Sequence, residues 1–228
     1  MLVLGIDTAT RIASVGLVRD GELLDEESCP ASSNHTETLL PLLLKLLARC
    51  GVSLGEVYGV GVSIGPGSFT GLRIGLSTAK GFAYALGWKV VGEPTLAALA
   101  HTVSDWQGNI CPILDARKGE VYTALFHRDR QGQLARLTAD QVCAPRTLLD
   151  SLATPCVFLG DGVETYGNLI REHRGPAALL LPFATHHPRG ATIARLAWER
   201  FCRGESDDLS DLAPCYVRKP DAEFKRSN

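Results

Sequence analysis

Ile64-Gly65-Pro66-Gly67-Ser68-Phe69-Thr70-Gly71-Leu72-Arg73-Ile74-Gly75 is the stretch on which the reading of this chain turns. The apolar run Val57 to Ile64 leads into it, and a segment with helical periodicity, Leu72 to Leu86, leads out. A strand, a glycine-rich turn and a helix start present backbone N–H groups to an anion. Gly71 and Gly75 also remove side-chain bulk, which lets the helix lie close against a neighbour. The Gly65, Gly67, Gly71 spacing is one residue longer than the dinucleotide fingerprint, and no acidic ribose ligand stands about 20 residues further on. The Gly-Lys-Ser/Thr of a P-loop is missing. Two readings stay open: a phosphate cradle on the Ser68 to Gly71 amides, or a tight strand–helix turn in which Gly67 takes an unusual backbone angle.

Outward from that loop the chain is built twice from one unit. Met1 to Asp7 reads as a buried strand ending in a carboxylate, Thr8 to Arg11 as a turn, and Ile12 to Arg19 as a second strand. Asp20-Gly21 is a hairpin turn before a third strand, Glu22 to Cys29. Ser32 to Thr36 is rich in helix-capping types, and a leucine-rich helix runs from Glu37 to Cys50, with Pro41 in an early turn and Gly51 after its end. After the loop helix come a strand, Lys89 to Val91, and a short helix from Pro94 to Thr102. The pattern then restarts. Ile110 to Asp115 repeats Leu2 to Asp7, Glu120 to His127 is the second strand, and Asp129 to Gly132 the hairpin turn. Cys156 to Gly160 mirrors Val60 to Gly65 and precedes a helix, Val163 to Arg171. The order predicts an α/β fold made of a duplicated β-β-β-α-β-α unit. Beyond it, Ala178 to Leu181 reads as a strand, Ala191 to Cys202 as a helix, Ser206 to Asp211 as an acidic loop and Lys219 to Asn228 as a polar, frayed end. The subdomains are expected at 1–104 and 105–228, with the tail packing back on the first.

Two helical segments are more apolar than surface helices need to be. Leu39, Leu40, Leu42, Leu43, Leu44, Leu46 and Leu47 cover well over one stripe of the first. Leu72, Leu76, Ala79, Ala83 and Leu86 make a core stripe on the second, and much of its remaining surface is small or apolar. Either another domain of this chain covers these segments or they form a subunit interface, and the interface expected runs through Leu39, Leu43, Leu46, Phe69, Leu72, Arg73, Gly75, Leu76 and Ala79.

Composition narrows the function classes. The chain has 228 residues, 45% apolar, with a formal net charge of −2, so charge alone does not imply nucleic acid or an anionic membrane as a partner. No apolar run approaches the ~18 residues that span a bilayer, and no basic leader segment is expected at the start. Seven cysteines without a C-x-x-C pair read as reduced core thiols in a cytoplasmic protein. His35 reads as a helix-start residue that caps or packs, and His186-His187 as a loop pair pointing in different directions. His101 has no visible Asp–Ser partnership, and Ser68 lies outside any Gly-x-Ser-x-Gly elbow. Asp115 to Glu120 mixes both charges in one turn, which could bind phosphate or simply be solvated.

Asp7-Thr8-Ala9-Thr10 stands where actin-like and sugar-kinase-like ATPases place an Asp and a small-residue hairpin under a phosphate, but Ala9 replaces the glycine. Asp7, Thr8, Thr10, Ser68 and Gly71 are the weak phosphate candidates. Taken together, residues 4–10, Asn34-His35-Thr36-Glu37, residues 65–75 and Asp115-Ala116-Arg117-Lys118-Gly119-Glu120-Val121-Tyr122 resemble the TsaB (formerly YeaZ) family. The resemblance implies an actin-like (ribonuclease H-like) fold with the second subdomain reduced. It implies a non-catalytic subunit for threonylcarbamoylation of adenosine 37 in tRNAs reading ANN codons. Its partners would be the catalytic relative TsaD, docked through the two N-terminal helices, and the ATPase TsaE. A homodimer would use the same helices when the chain is alone, and tRNA would be met indirectly. The metal-binding His-x-x-x-His of TsaD falls here on Thr95 and Leu99, so no metal site is implied. No cofactor is required by this chain, and ATP or ADP would sit at the junction with the partner. An M22-type peptidase or a weak ATPase is the alternative reading.

Overall fold

The structure is a computed structural model and describes residues 1–30 and 35–218. The helix-capping types Ser32 to Asn34 and the polar end Lys219 to Asn228 lie outside the described residues. The first half comprises β1 (Leu2–Asp7), β2 (Ile12–Arg19), β3 (Glu22–Pro30), α1 (His35–Cys50), β4 (Gly59–Gly65), α2 (Phe69–Leu86), β5 (Lys89–Pro94) and α3 (Thr95–His101). Its sheet has the order β3-β2-β1-β4-β5, with β1, β4 and β5 parallel and the hairpin strands antiparallel.

The second half repeats this plan with shorter parts. It holds β6 (Gly108–Asp115), β7 (Val121–Thr123), β8 (Phe126–Arg128), β9 (Leu134–Arg136), β10 (Gln141–Cys143), α4 (Pro145–Ser151), β11 (Cys156–Leu159), α5 (Gly162–Arg174), β12 (Ala178–Leu180) and α6 (Gly190–Cys202). The order β10-β7-β6-β11-β12 matches the first sheet strand for strand. Helix α4, with 7 residues, stands where α1 has 16.

Several local expectations need correction. The strand predicted over Glu120 to His127 divides into β7, paired with Ile113–Asp115, and β8, paired with Gly108–Ile110. Helix α4 and strands β9 and β10 have no counterpart in the sequence reading, because three-residue strands and a seven-residue helix carry too little periodicity. Pro41 is the seventh residue of α1, in its second turn, and its exposed position keeps the ring out of the core. Leu86 leaves the core stripe of α2 and is 45% exposed, since the helix ends at Gly87 in the left-handed region. In the glycine loop the positive φ, +116°, belongs to Gly65, whereas Gly67 has an ordinary backbone angle.

The helices do not stay with their own halves. Helices α1 and α2 cover one face of the first sheet through Leu2, Leu4, Ile6, Val60 and Val62. The opposite face, with Val3, Val18 and Val91, is covered by Ala194, Ala197 and Phe201 of α6, which comes from the far end of the chain. The start of α6 is fixed there: the Gly190 N–H donates to Ser14 Oγ at 2.9 Å and the Ala191 N–H to Glu26 Oε1 at 2.9 Å. In exchange, Leu96, Leu99 and Ala100 of α3 pack with Ile110, Leu114 and Phe126 of the second sheet. A cut between residues 104 and 105 thus separates the two sheets but not the helices packed on them.

Candidate functional site

Two surfaces are placed by this architecture: a cleft between the halves and the outer face of α1 and α2. A cavity of about 650 Å³ lies between the halves, lined on one side by Thr10, Arg11 and the Gly67–Thr70 turn. Asp115, Arg117, Tyr122 and Asp161 line the other. The two Asp turns beside it share one hydrogen-bond geometry, though Asp115 lines the cleft and Asp7 does not. Ala9 N–H donates to Asp7 Oδ1 at 3.2 Å, and Arg117 N–H to Asp115 Oδ1 at 2.8 Å. Arg11 spans the cleft, donating to Glu164 at 2.6 Å while its guanidinium lies 4.7 Å from the Phe183 ring centre.

The phosphate candidates of the first turn face inward. Asp7, Thr8 and Thr10 are buried. Asp7 accepts from the Ser63 hydroxyl as well as from Ala9 N–H, and burial pushes its carboxyl up to about 6 against the lowering effect of those bonds. Thr8 Oγ1 donates to the Gly71 carbonyl at 2.7 Å, and Thr10 Oγ1 accepts from Ile12 N–H at 3.3 Å. The loop's own amides are engaged too: Ser68 N–H donates to the Ala9 carbonyl at 2.7 Å, and Gly71 N–H to Ser68 Oγ at 3.2 Å. A Cβ on Gly67 would overlap the Ala9 carbonyl oxygen. The Ala9 turn and the glycine loop therefore fill each other's space, and the Ser68 and Gly71 amides are taken up inside the chain.

Gly71 and Gly75 have a definite neighbour, and it is internal. A Cβ on Gly71 would overlap the Thr8 carbonyl oxygen, and one on Gly75 the Thr8 hydroxyl. Their small size brings α2 down onto the β1–β2 turn, not onto a partner. The same correction applies to most of the predicted interface. Leu39, Leu43, Leu46, Leu72, Gly75, Leu76 and Ala79 are all buried inside this chain. Exposing a buried leucine costs about 1.5–3 kcal/mol, so these residues hold the fold and are not surface for docking. Of the predicted set, Phe69 at 46% and the exposed Arg73 remain outside.

What the two helices do expose is a different set. Leu40 and Leu44 on α1 and Tyr84 on α2 are 46%, 47% and 87% exposed. A groove of about 420 Å³ runs from Thr36 at the start of α1 along Phe69, Arg73, Ile74 and Ser77 of α2. Beside it Tyr216 stacks on Phe69, a contact that joins residues far apart in the chain and left no signal in the sequence. His35 is half-buried over Gly71, and burial holds its imidazole below the ordinary value against a hydrogen bond with the Thr10 backbone.

The other singled-out residues lie apart. His186 meets Thr185, while His187 contacts Ser28 at 3.3 Å. His101 lines a separate groove with Arg195 and Trp198; burial, then Arg128 and Arg195, pushes it down to about 4. Thr95 and Leu99 are both buried, Leu99 against the second sheet. Among the described residues no group of three His, Cys, Asp or Glu side chains is placed to hold a metal ion, and no helix is long and apolar enough to cross a membrane.

Comparison with known proteins settles the family. The model for TsaD, tRNA N6-adenosine threonylcarbamoyltransferase, matches residues 29–226. The tRNA threonylcarbamoyladenosine biosynthesis protein TsaB of Bacillus subtilis is 31% identical over 99% of this chain and 97% of its own length. This chain belongs to the TsaB (YeaZ) family. A Pseudomonas aeruginosa crystal structure, described as similar to the peptidase YeaZ, superposes with a TM-score of 0.82 at 28% identity, covering 95% of this chain and 99% of that one. Component A of the (R)-2-hydroxyglutaryl-CoA dehydratase of Acidaminococcus fermentans matches with a TM-score of 0.56 at 12% identity over 89% and 99% of the two chains, a likeness of fold alone. With these neighbours and the repeated sheet order, the fold is the duplicated actin-like one, its second copy reduced in this TsaB-family chain.

Proposed function

We propose that this chain is a non-catalytic subunit of the machinery for tRNA threonylcarbamoyladenosine, docking a TsaD-type transferase through the outer face of α1 and α2. The observation that carries the reading is the exposure of Leu40, Leu44, Phe69 and Tyr84 on two neighbouring helices. Large apolar side chains grouped on a surface mark interaction sites, and the chain's relatives carry the name of this biosynthesis. The inward-turned Asp7 turn supports a subunit that does not itself turn over nucleotide; any ATP or ADP serving the assembly is held at the junction with the partner. TsaE joins through that assembly, and the modified base, adenosine 37, is met through the transferase. In the partner's absence the same face pairs two copies of this chain.

The burial of Leu39, Leu43 and Leu46 supports a docking face on which Leu40 and Leu44 stand in their place. Leu44→Arg places a charge on the exposed face without entering the core. The outcome expected on gel filtration is loss of co-elution with the TsaD-type protein while the circular dichroism spectrum of the monomer is retained. Unchanged co-elution of Leu44→Arg would remove the docking surface from the account.

A further inference from the structure

Two side chains that line the groove on α2 are held from outside the helix. The segment 213–218 runs across the end of β4, where Cys215 N–H donates to the Ile64 carbonyl at 2.7 Å. Tyr216 then stacks on Phe69, ring centres 5.3 Å apart and planes 29° from parallel, and its hydroxyl accepts from Arg73 Nε at 3.0 Å. The Arg73 guanidinium lies 3.8 Å from the centre of the Phe69 ring. Two residues on, Arg218 donates to the Ala116 carbonyl at 2.7 Å and to Glu120, which fastens the segment to the second half. Tyr216 is thus a support anchored on both sides, itself 38% exposed.

We infer that the segment 213–218 belongs to the docking surface, with Tyr216 as the positioning residue that fixes Phe69 and Arg73 for a partner element carrying an apolar side chain beside a carboxylate. This rests on the docking reading above and adds the chemistry of what docks. Arg73 is the charged residue among those lining the groove, and it makes no ion pair with a described carboxylate. A guanidinium lying on a ring keeps its fork of donors aimed outward, the geometry that suits a carboxylate. Tyr and Arg are among the residue types that dominate binding at protein interfaces, and Phe is enriched there. Ordering two side chains before association removes part of the entropy lost on binding.

The test is calorimetric titration of the full chain with the TsaD-type protein. Tyr216→Ala is expected to weaken binding about tenfold, with the thermal midpoint unchanged, and Tyr216→Phe to stay within about threefold because the stacking survives. Raising salt is expected to weaken the wild-type complex more than Arg73→Gln, as an ion pair at Arg73 requires. The inference falls, and the docking reading stands, when Tyr216→Ala binds within twofold of wild type while Leu44→Arg does not bind. Both fall when neither substitution changes the affinity. A chain ended after Arg218 that binds tenfold more tightly would show that the groove seats this chain's own tail, which also overturns the inference.

Discussion

Asp7 is a carboxylate with no exposed surface, and its state is the most direct residue-level check on the inward-turned site. Burial raises it from 3.8 to about 6 in the folded chain. The folded state therefore keeps a proton that the unfolded chain releases. The stabilisation this gives is fully present below pH 3.8 and is lost as pH rises through 6, a change of about 3 kcal/mol for roughly two pH units. Asp7→Asn removes the titration, so the stability of the variant relative to wild type should improve by up to that amount between pH 4 and pH 8. Urea unfolding at the two pH values measures it; a difference independent of pH would mean that Asp7 is hydrated and open to the cleft. The sequence identified Asp7 and its turn as a unit. It could not show which way the turn faces, because that depends on Gly67 meeting Ala9 across two segments of chain.

At the scale of elements, α2 carries glycines with opposite roles. Gly71 is pressed on the Thr8 carbonyl, whereas a Cβ on Gly81 would meet nothing within 4 Å. Ala normally favours a helix interior by about 1 kcal/mol over Gly. Gly81→Ala should therefore raise stability by up to about that much, while Gly71→Ala should lose about 1–3 kcal/mol as overpacking against fixed backbone prevails. Equal responses in thermal unfolding would refute the close approach. The leucines of α1 teach a related lesson. Their number correctly signals more apolar surface than a surface helix needs, yet the sheet claims Leu39, Leu42, Leu43, Leu46 and Leu47, leaving Leu40 and Leu44 outside. Counting apolar residues says that a face is left over. Which face it is follows from the angle at which the helix meets its own sheet, and that angle is a property of packing.

For the molecule as a whole, the duplication was legible because each half repeats, in the same order, a strand ending in Asp, a hairpin turn and a glycine turn. The exchange of α3 and α6 was not, since each helix offers an apolar face that would satisfy either sheet locally. It has a consequence for folding. Residues 1–104 lack α6 and would expose Val3, Val18 and Val91 on the uncovered face of the first sheet. That fragment is expected to show no cooperative thermal transition, and a sharp one would mean that the first half is self-sufficient. On the proposed function, a docked, non-catalytic subunit would be needed by its partner and would do nothing alone. The decisive measurement is threonylcarbamoylation of tRNA in a reconstituted system containing the transferase, with this chain present, omitted, or replaced by Leu44→Arg. The account predicts full activity only with the wild-type chain and none from the chain by itself. Modification that proceeds unchanged when the chain is left out, or that this chain performs without a transferase, would contradict it.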